Sequence, residues 1–301
     1  MKYGLIGERL GHSFSKEVHS ALADYEYELK EIKREDLSSF MLNKEFNAIN
    51  VTIPYKESVI PFLDEISAEA RVIGSVNTVI NRNGRLYGYN TDFFGMRSLF
   101  EKLGISAKNK KAVILGSGGT AKTASAVLSS LGASLILTVS RTKKEGVICY
   151  EELYRKHTDA DIIINTTPVG MYPDNESCPI YLECFKNLKG VLDAIYNPLR
   201  TKLVLDAQKR GIPAEGGLYM LIAQAVFASE IFLGIKYPET SIEKVYADVL
   251  SKKKNIALIG MPSCGKSTVG RIIAERLKRE FIDTDEVIVK ETGKEIKDIF
   301  K

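Results

Sequence analysis

Cysteine is scarce: the 301 residues contain four, Cys149, Cys178, Cys184 and Cys264, with no CxxC pair and no ligand cluster with the three histidines. A zinc site and a disulfide framework are both disfavoured, and the thiols read as reduced, cytoplasmic ones. Long apolar runs are also missing. The N-terminal MKYGLIGERLGHS is too short in apolar residues for a signal peptide, and no segment reaches the length of a membrane helix. Charge of one sign is not concentrated anywhere, because the net +4 comes from Lys and Arg interleaved with Asp and Glu. Neither a nucleic-acid stripe nor a basic membrane face is implied. Internal repeats and low-complexity tracts are absent.

What is present is a globular composition, 45% hydrophobic, at roughly two ordinary domains' length. The first third alternates short apolar strands (Tyr3 to Gly7, Ala48 to Ile53) with amphipathic helices such as Lys16 to Tyr25, which predicts a parallel sheet flanked by helices. Within it Val76 to Asn81 and Arg85 to Tyr89 flank Asn83-Gly84 and predict a β-hairpin. A second βαβ run starts at Lys111, continues through a helix near Ala121 to Leu131 and the strand Leu135 to Val139, and meets strands at Ile162 and Val191. Helices over Leu218 to Phe232 and Ser241 to Leu250 are too few to enclose a core and are expected to fold back on the first domain. Ser251-Lys-Lys-Lys-Asn reads as a solvated linker before a fresh strand, Ile256 to Ile259. The expected organisation is α/β throughout. A substrate-binding domain covers 1–92 and a Rossmann-like dinucleotide-binding domain 93–217; returning helices span 218–250 and an incomplete P-loop segment 251–301.

After the strand Ala112 to Leu115 comes Gly116-Ser117-Gly118-Gly119-Thr120-Ala121, a GxGxxG/A pattern where a strand should hand over to a helix. Gly116 permits the tight turn, Gly118 lets backbone N–H groups approach a pyrophosphate, and Ala121 allows close helix packing. A glycine-rich turn without a ligand is the competing reading, which the strand–helix context weakens. The next strand ends in Ser140-Arg141-Thr142-Lys143-Lys144, with no carboxylate where an NAD enzyme offers one to the ribose. A guanidinium can grip a 2′-phosphate and Lys144 can add charge, so NADP is the expected cofactor, against a merely solvated basic turn.

Three polar clusters sit at strand ends: His12-Ser13-Phe14-Ser15, then Asn50-Val51-Thr52-Ile53-Pro54-Tyr55-Lys56, then Asn77 with Asn90-Thr91-Asp92. Singly, each is more often a capped turn than a site. Together GLIGERLGHSFS, NVTIPYK, GSVNT, YNTDFFG, the dinucleotide glycines, SRT, NTTPVGM and GGLYMLIAQA closely resemble shikimate dehydrogenase over residues 1 to about 250. That resemblance implies NADP-dependent, reversible reduction of 3-dehydroshikimate to shikimate in the aromatic amino acid pathway. Lys56 and Asp92 would be the catalytic pair, Ser13 and Ser15 would hold the substrate carboxylate, and Thr52, Asn77, Asp92 and Gln224 its hydroxyls. Tyr196 would lie near the substrate, and Ala194, Gly217 and Met220 near the nicotinamide, with no metal. A small molecule is the expected partner, not nucleic acid or membrane, and monomer and homodimer both stay open. Two positions depart from the family pattern: Lys16 stands in place of a common proline, and Tyr219 in place of a common glycine. An NAD-using quinate/shikimate dehydrogenase and a non-catalytic shikimate sensor are the rival readings; Arg141 argues against the first, and the presence of Lys56 and Asp92 against the second.

Gly260-Met-Pro-Ser-Cys-Gly265-Lys266-Ser267 is a full GxxxxGK[ST] string before a helical run from Thr268 to Leu277. Its N–H groups would cradle phosphates, Lys266 would reach the β and γ oxygens and Ser267 would ligate Mg²⁺. GMPSCGKSTVGR with Phe281-Ile-Asp283-Thr-Asp285 resembles the start of shikimate kinase, which places Asp283 near the metal and Asp285 on shikimate. With so few residues after the motif, the segment is expected to be too short to fold alone, to bind ATP and Mg²⁺ only if completed, and to lack kinase activity.

Overall fold

The computed structural model describes residues 1–11, 14–142 and 145–299. They form two compact units, Met1–Leu250 and Ser251–Lys301. In chain order the first unit runs β1 (Tyr3–Gly7), α1 (Ser15–Leu22), β2 (Tyr27–Glu31), α2 (Leu37–Asn43), β3 (Ala48–Val51), β4 (Glu65–Ile66), α3 (Ala68–Ile73), β5 (Thr78–Arg82), β6 (Arg85–Tyr89) and α4 (Thr91–Leu103). It continues with β7 (Lys111–Leu115), α5 (Gly119–Ser130), β8 (Leu135–Val139), β9 (Val147–Ile148), α6 (Tyr150–Lys156), β10 (Ile162–Asn165), β11 (Gly190–Asp193), α7 (Lys202–Lys209), β12 (Ala214–Glu215), α8 (Leu218–Leu233) and α9 (Ser241–Lys253). The second unit carries α10 (Lys266–Leu277), α11 (Thr284–Thr292) and α12 (Ile296–Ile299).

The strands of the first unit make two sheets, ordered β2-β1-β3-β5-β6-β4 and β12-β11-β10-β7-β8-β9. The first is mixed, not parallel as the strand–helix rhythm predicts, because β5 runs antiparallel to both β3 and β6. The cause is the hairpin at Asn83-Gly84, whose φ angles of 52° and 82° suit the tight turn that joins twisted antiparallel strands. This reversal puts the start of β5 on the same sheet edge as the carboxyl ends of β1, β3 and β6. The second sheet is wholly parallel. Its strands β10 and β11 are buried at every residue, which is why they read as unbroken apolar runs. The chain leaves β7 towards β8 and β9, then returns to β10 on the other side, so the order reverses between β7 and β10.

Several boundaries differ from expectation for local reasons. β3 stops at Val51 because the next residues enter a turn in which Ile53 is 77% exposed. The helix expected over Lys16 to Tyr25 is Ser15–Leu22, ended by the extended residue Ala23. α9 continues through Lys253, so the first residues of the expected linker are its last turn, where Lys252 and Lys253 oppose the negative end of the helix dipole. Ile256 to Ile259 is not a strand among the described residues, and Ile259 is 93% exposed. A strand needs a ladder partner, and the second unit supplies none among the residues described.

Helix α8 is buried over most of its surface and packs on α4, α1 and β5. Its Leu218, Ile222, Ala225 and Val226 share a core with Val18 of α1 and with Val245 and Val249 of α9. Beside this core His19 is fully buried, stacked on Tyr27 at 4.0 Å, with Nδ1 bonded to the Tyr25 hydroxyl and Nε2 without a partner. Burial pushes the imidazole down to about 3, with Asn50 nearby opposing it. The folded state therefore excludes a proton that the unfolded chain takes up below its ordinary value. His19 stabilises the fold fully above about pH 6.5, and that stability is lost as pH falls from there towards 3, at about 1.4 kcal/mol per unit. We expect His19→Phe to flatten the decline in urea-unfolding free energy between pH 7 and pH 5. An unchanged slope in that variant would remove His19 as the titrating group.

Candidate active site

Lys56 lies in the turn after β3, and its backbone carbonyl accepts from Val76 N at 2.8 Å, which ties the turn to the strand beyond. Asp92 sits in the first turn of α4, where Asn90 caps the helix by accepting from Phe93 N. Lys56 Nζ donates to Asp92 Oδ2 at 2.5 Å, with the two side chains 30% and 19% exposed. Each charged group thus has its counter-ion while a face stays open to solvent or ligand. Behind the pair, Asn77 Oδ1 accepts from Thr91 N at 2.7 Å, from Thr91 Oγ1 at 3.2 Å and from Thr78 Oγ1 at 3.0 Å. Its Nδ2 is left as the group able to reach a ligand. Gln224 Oε1 of α8 lies 3.3 Å from Thr91 Oγ1 as an alternative acceptor for the same hydroxyl proton, and Thr52 is anchored through its N–H to Ile6 O at 2.9 Å. Lys56, Asp92, Asn77, Gln224 and Thr52 therefore converge on one sheet edge, which a parallel β5 would not allow. Ser15 opens α1, and Ser13 lies outside the described residues.

On the second sheet, Gly116, Ser117 and Gly118 follow β7 at the point of order reversal, where open α/β sheets take their ligands. They form part of a cleft of about 500 Å³ with Ser140, Arg141, Thr142 and Tyr150 on one side and Thr166 to Val169, Cys178 and Pro179 on the other. Gly116 has φ 103°, and a Cβ there would lie 2.8 Å from Thr166 Oγ1, so a side chain would close the cradle. Gly119, Thr120 and Ala121 form the first turn of α5; the Ala121 N–H donates to Gly118 O at 3.1 Å, while those of Gly119 and Thr120 have no acceptor within the helix. An anion fits that helix end, and the exposed Arg141 stands at the rim as a cation for a further phosphate. The residues present fit a phosphorylated dinucleotide. Lys144 lies outside the described residues.

The sequence reading left several of these groups unassigned. Asn165 and Asp193 end the neighbouring strands β10 and β11, and Asp193 is fully buried. Its carboxyl accepts from Thr201 Oγ1 at 2.7 Å and from Ile195 N and Asn165 Nδ2 at 3.0 Å each. Burial pushes that carboxyl up to about 6 against these hydrogen bonds. Together they fix the turn bearing Ala194 and Tyr196. The NTTPVGM string was the only signal for the Thr166 to Val169 wall.

The two sheets communicate through that turn. Gly217 N donates to Ile195 O at 2.7 Å, which sets Gly217 beside Ala194, and Met220 is buried one helical turn into α8. The Tyr196 ring lies 5.3 Å from that of Phe14, next to the serine segment of the first sheet. Tyr219 is buried, with its hydroxyl on Glu243 Oε1 at 2.8 Å and its ring 4.2 Å from Lys102 Nζ and 5.2 Å from the Tyr246 ring.

In the second unit, Lys266 Nζ donates to Gly260 O at 2.9 Å and to Met261 O at 2.8 Å, so the loop folds over its own lysine. Gly265 caps α10, and Ser267 Oγ donates to Asp283 Oδ2 at 3.1 Å. Among the described residues no group of His, Cys, Asp and Glu could hold a metal ion.

A parallel nucleotide-binding sheet with a glycine loop at its point of reversal, joined to a second sheet presenting an ammonium–carboxylate pair, defines a nicotinamide-dependent oxidoreductase. A shikimate dehydrogenase (NADP(+)) of Clostridium perfringens is 37% identical over 265 residues, covering 82% of this chain and 97% of the relative. The chain belongs to the shikimate dehydrogenase family. The profile of the shikimate dehydrogenase substrate binding domain matches residues 5–79, and that of shikimate kinase matches residues 262–301. Among solved structures, a chorismate mutase/shikimate 5-dehydrogenase fusion protein from Clostridium acetobutylicum is 36% identical with a TM-score of 0.78, over 84% of this chain and 98% of that one. The shikimate 5-dehydrogenase of Thermus thermophilus in complex with NADP(H) and shikimate is 27% identical with a TM-score of 0.74, over 82% and 99%. No helix of the described residues is long and apolar enough to cross a membrane.

The place of Arg141 at the cleft rim generates a test. Hydrogen bonds to charged groups contribute about 1.5–3 kcal/mol, and an exposed cation falls at the lower end, so Arg141→Asp should weaken NADP⁺ binding roughly tenfold or somewhat more. NAD⁺ should be affected far less. Equal NADP⁺ affinity in calorimetric titrations of mutant and wild type would take Arg141 out of the site.

Proposed function

We propose that this chain reduces 3-dehydroshikimate to shikimate with NADPH, and runs the reverse oxidation, with Lys56 and Asp92 as its acid–base pair. The observation that carries the reading is the 2.5 Å contact between Lys56 Nζ and Asp92 Oδ2 on the edge that also gathers Asn77, Thr52 and Gln224. Residues 1–92 would bind the substrate, 93–217 the cofactor, and 218–250 would return to complete the substrate side. Ser13 and Ser15 would hold the carboxylate, and Thr52, Asn77, Asp92 and Gln224 the hydroxyls, with Tyr196 closing over them. Gly116 to Ala121 would take the pyrophosphate, Ser140 to Thr142 and Lys144 the adenosine 2′-phosphate, and Ala194, Gly217 and Met220 the nicotinamide.

Reduction of a ring ketone needs a hydride at carbon and a proton at oxygen, and the reduced nicotinamide supplies the first. Lys56 supplies the second: its ammonium gives a proton to the forming alkoxide and recovers it in the reverse direction. Asp92 holds that ammonium at the reacting edge through the Nζ–Oδ2 hydrogen bond. The two side chains are partly exposed, which leaves solvent a route to replace the proton after each turnover. The four free cysteines fit a reducing, cytoplasmic setting. In the second unit, only a completed kinase-like sheet would let the N–H groups after Gly260 cradle phosphates, with Lys266 beside them and Ser267 and Asp283 towards Mg²⁺.

Lys56→Met keeps the stem and removes the proton. Positioned general acids contribute about 10²–10⁴-fold, so kcat for shikimate oxidation should fall by that factor with a much smaller change in KM. A defect confined to KM would mean that Lys56 only holds substrate. Steady-state comparison of shikimate and quinate, each with NADP⁺ and NAD⁺, tests the reading itself, and a flat result in all four would refute it.

Removing residues after Lys254 should leave shikimate oxidation intact, because the dehydrogenase site draws only on residues of Met1–Leu250. Loss of turnover in a truncated protein that still unfolds cooperatively in urea would show that the second unit contributes to the site.

A further inference from the structure

β8 and β9 are parallel neighbours, paired Thr138 to Val147 and Val139 to Ile148. Parallel neighbours are ordinarily joined by a crossover of roughly a dozen residues or more, usually a helix. Here only residues 140–146 separate the two strands, and no helix lies among the described ones. The first ring to arrive on that side of the cleft is Tyr150, at the start of α6. It lines the same cleft as Arg141, Thr142 and the glycine loop. Its stem is packed against the core that contains Val139 and Leu153, which holds the ring in place without help from a ligand. Burial pushes the phenol up while the nearby Arg141 guanidinium opposes it, so the hydroxyl stays protonated at neutral pH and is a donor.

We propose that Tyr150 is a specificity residue for the phosphorylated cofactor: its ring walls the adenosine end of the cleft and its hydroxyl donates to the ribose 2′-phosphate alongside Arg141. This rests on the NADP reading above and deepens it. The cleft offers that phosphate a cation from the segment that follows β8 and a packed neutral donor from the start of α6. An unphosphorylated ribose has no group of comparable acceptor strength for the phenol to meet, so the hydroxyl discriminates between the two dinucleotides while the ring serves both.

Tyr150→Phe keeps the ring and its packing and removes only the donor. Direct calorimetric titration of the full chain with NADP⁺, NAD⁺ and 2′,5′-ADP should show NADP⁺ and 2′,5′-ADP weakened roughly tenfold and NAD⁺ unchanged within about twofold. The KM for NADP⁺ should rise in parallel, with kcat at saturation retained. Tyr150→Ala, checked for an unchanged unfolding midpoint, should weaken NADP⁺ at least as much and NAD⁺ as well, since the wall goes with the ring. If Tyr150→Phe binds all three nucleotides like wild type, or loses NADP⁺ and NAD⁺ equally, the hydroxyl has no such role and the proposal is overturned. A wild-type chain that binds neither NADP⁺ nor 2′,5′-ADP would instead overturn the cofactor reading, and this assignment with it.

Discussion

Gly95 has no side chain, and the space that a Cβ would need is already filled: the Met220 carbonyl oxygen would lie 2.6 Å from it and Gln224 Cβ 3.0 Å. Helices α4 and α8 meet there at a distance that only glycine allows. Each of the two helices connects one sheet to the other, α4 outward from β6 to β7 and α8 back from β12 to the first sheet's side. Their close approach therefore joins two chemistries. Thr91 and Asp92 belong to the first turn of α4, while Gly217, Met220 and Gln224 belong to α8 and the residue before it. Widening the contact by one methyl group would move the Gln224 amide from Thr91 and shift Met220 relative to the cofactor sheet. The ends of the two sheets that carry Asp92 and Gly217 are held in one frame by this helix–helix contact.

Much of this frame is legible because buried parallel strands and period-two hairpins leave strong patterns. Tyr3–Gly7, Arg85–Tyr89, Lys111–Leu115 and Leu135–Val139 fall where apolar residues are bracketed by turns. Strand direction is another matter. Alternation is identical whichever way a strand runs, so the reversal of β5 had to be taken from the turn chemistry of Asn83-Gly84, and its consequence for Asn77 depends on sheet order, which no local pattern encodes. The Lys56–Asp92 pair brings together residues far apart in the chain and is legible only through family resemblance. Tyr150 carries no motif at all; its place follows from how short the β8–β9 connection is. Asp193 reads as one more polar residue at a strand end until its three donors are seen around it.

The C-terminal unit shows the limit of a motif that is satisfied locally. Gly265, Lys266, Ser267 and Asp283 occupy a loop–helix arrangement with a Ser–Asp hydrogen bond. Among the described residues the strand that should precede the loop is nevertheless absent, and Ile256, Leu258, Ile259 and Met261 are exposed. Loop conformation follows from residues a few positions apart, whereas a strand is a property of its neighbours. A glycine-and-lysine string can therefore form its turn while the sheet that makes it a rigid anion cradle is missing among the described residues.

Tyr219, the departure from the family pattern closest to the expected nicotinamide wall, is accommodated by a cluster built around one cation. Lys102 Nζ lies 4.2 Å from the Tyr219 ring, 3.6 Å from the Tyr246 ring and 3.4 Å from Glu215 Oε2. Burial and the facing Glu243 carboxylate push the Tyr219 phenol up, so it remains a neutral donor to that carboxylate. The aromatic ring thus has partners on α4 and α9. Glu215 also accepts from Gly216 N at 3.2 Å, so the same cluster holds the residue that precedes Gly217. A cation over two ring faces and against a carboxylate contributes more when partly desolvated than at an open surface, and Lys102 is 18% exposed. The Tyr219 side chain braces the end of β12, the start of α8 and the body of α9 to the end of α4, about two helical turns from the Gly95 contact.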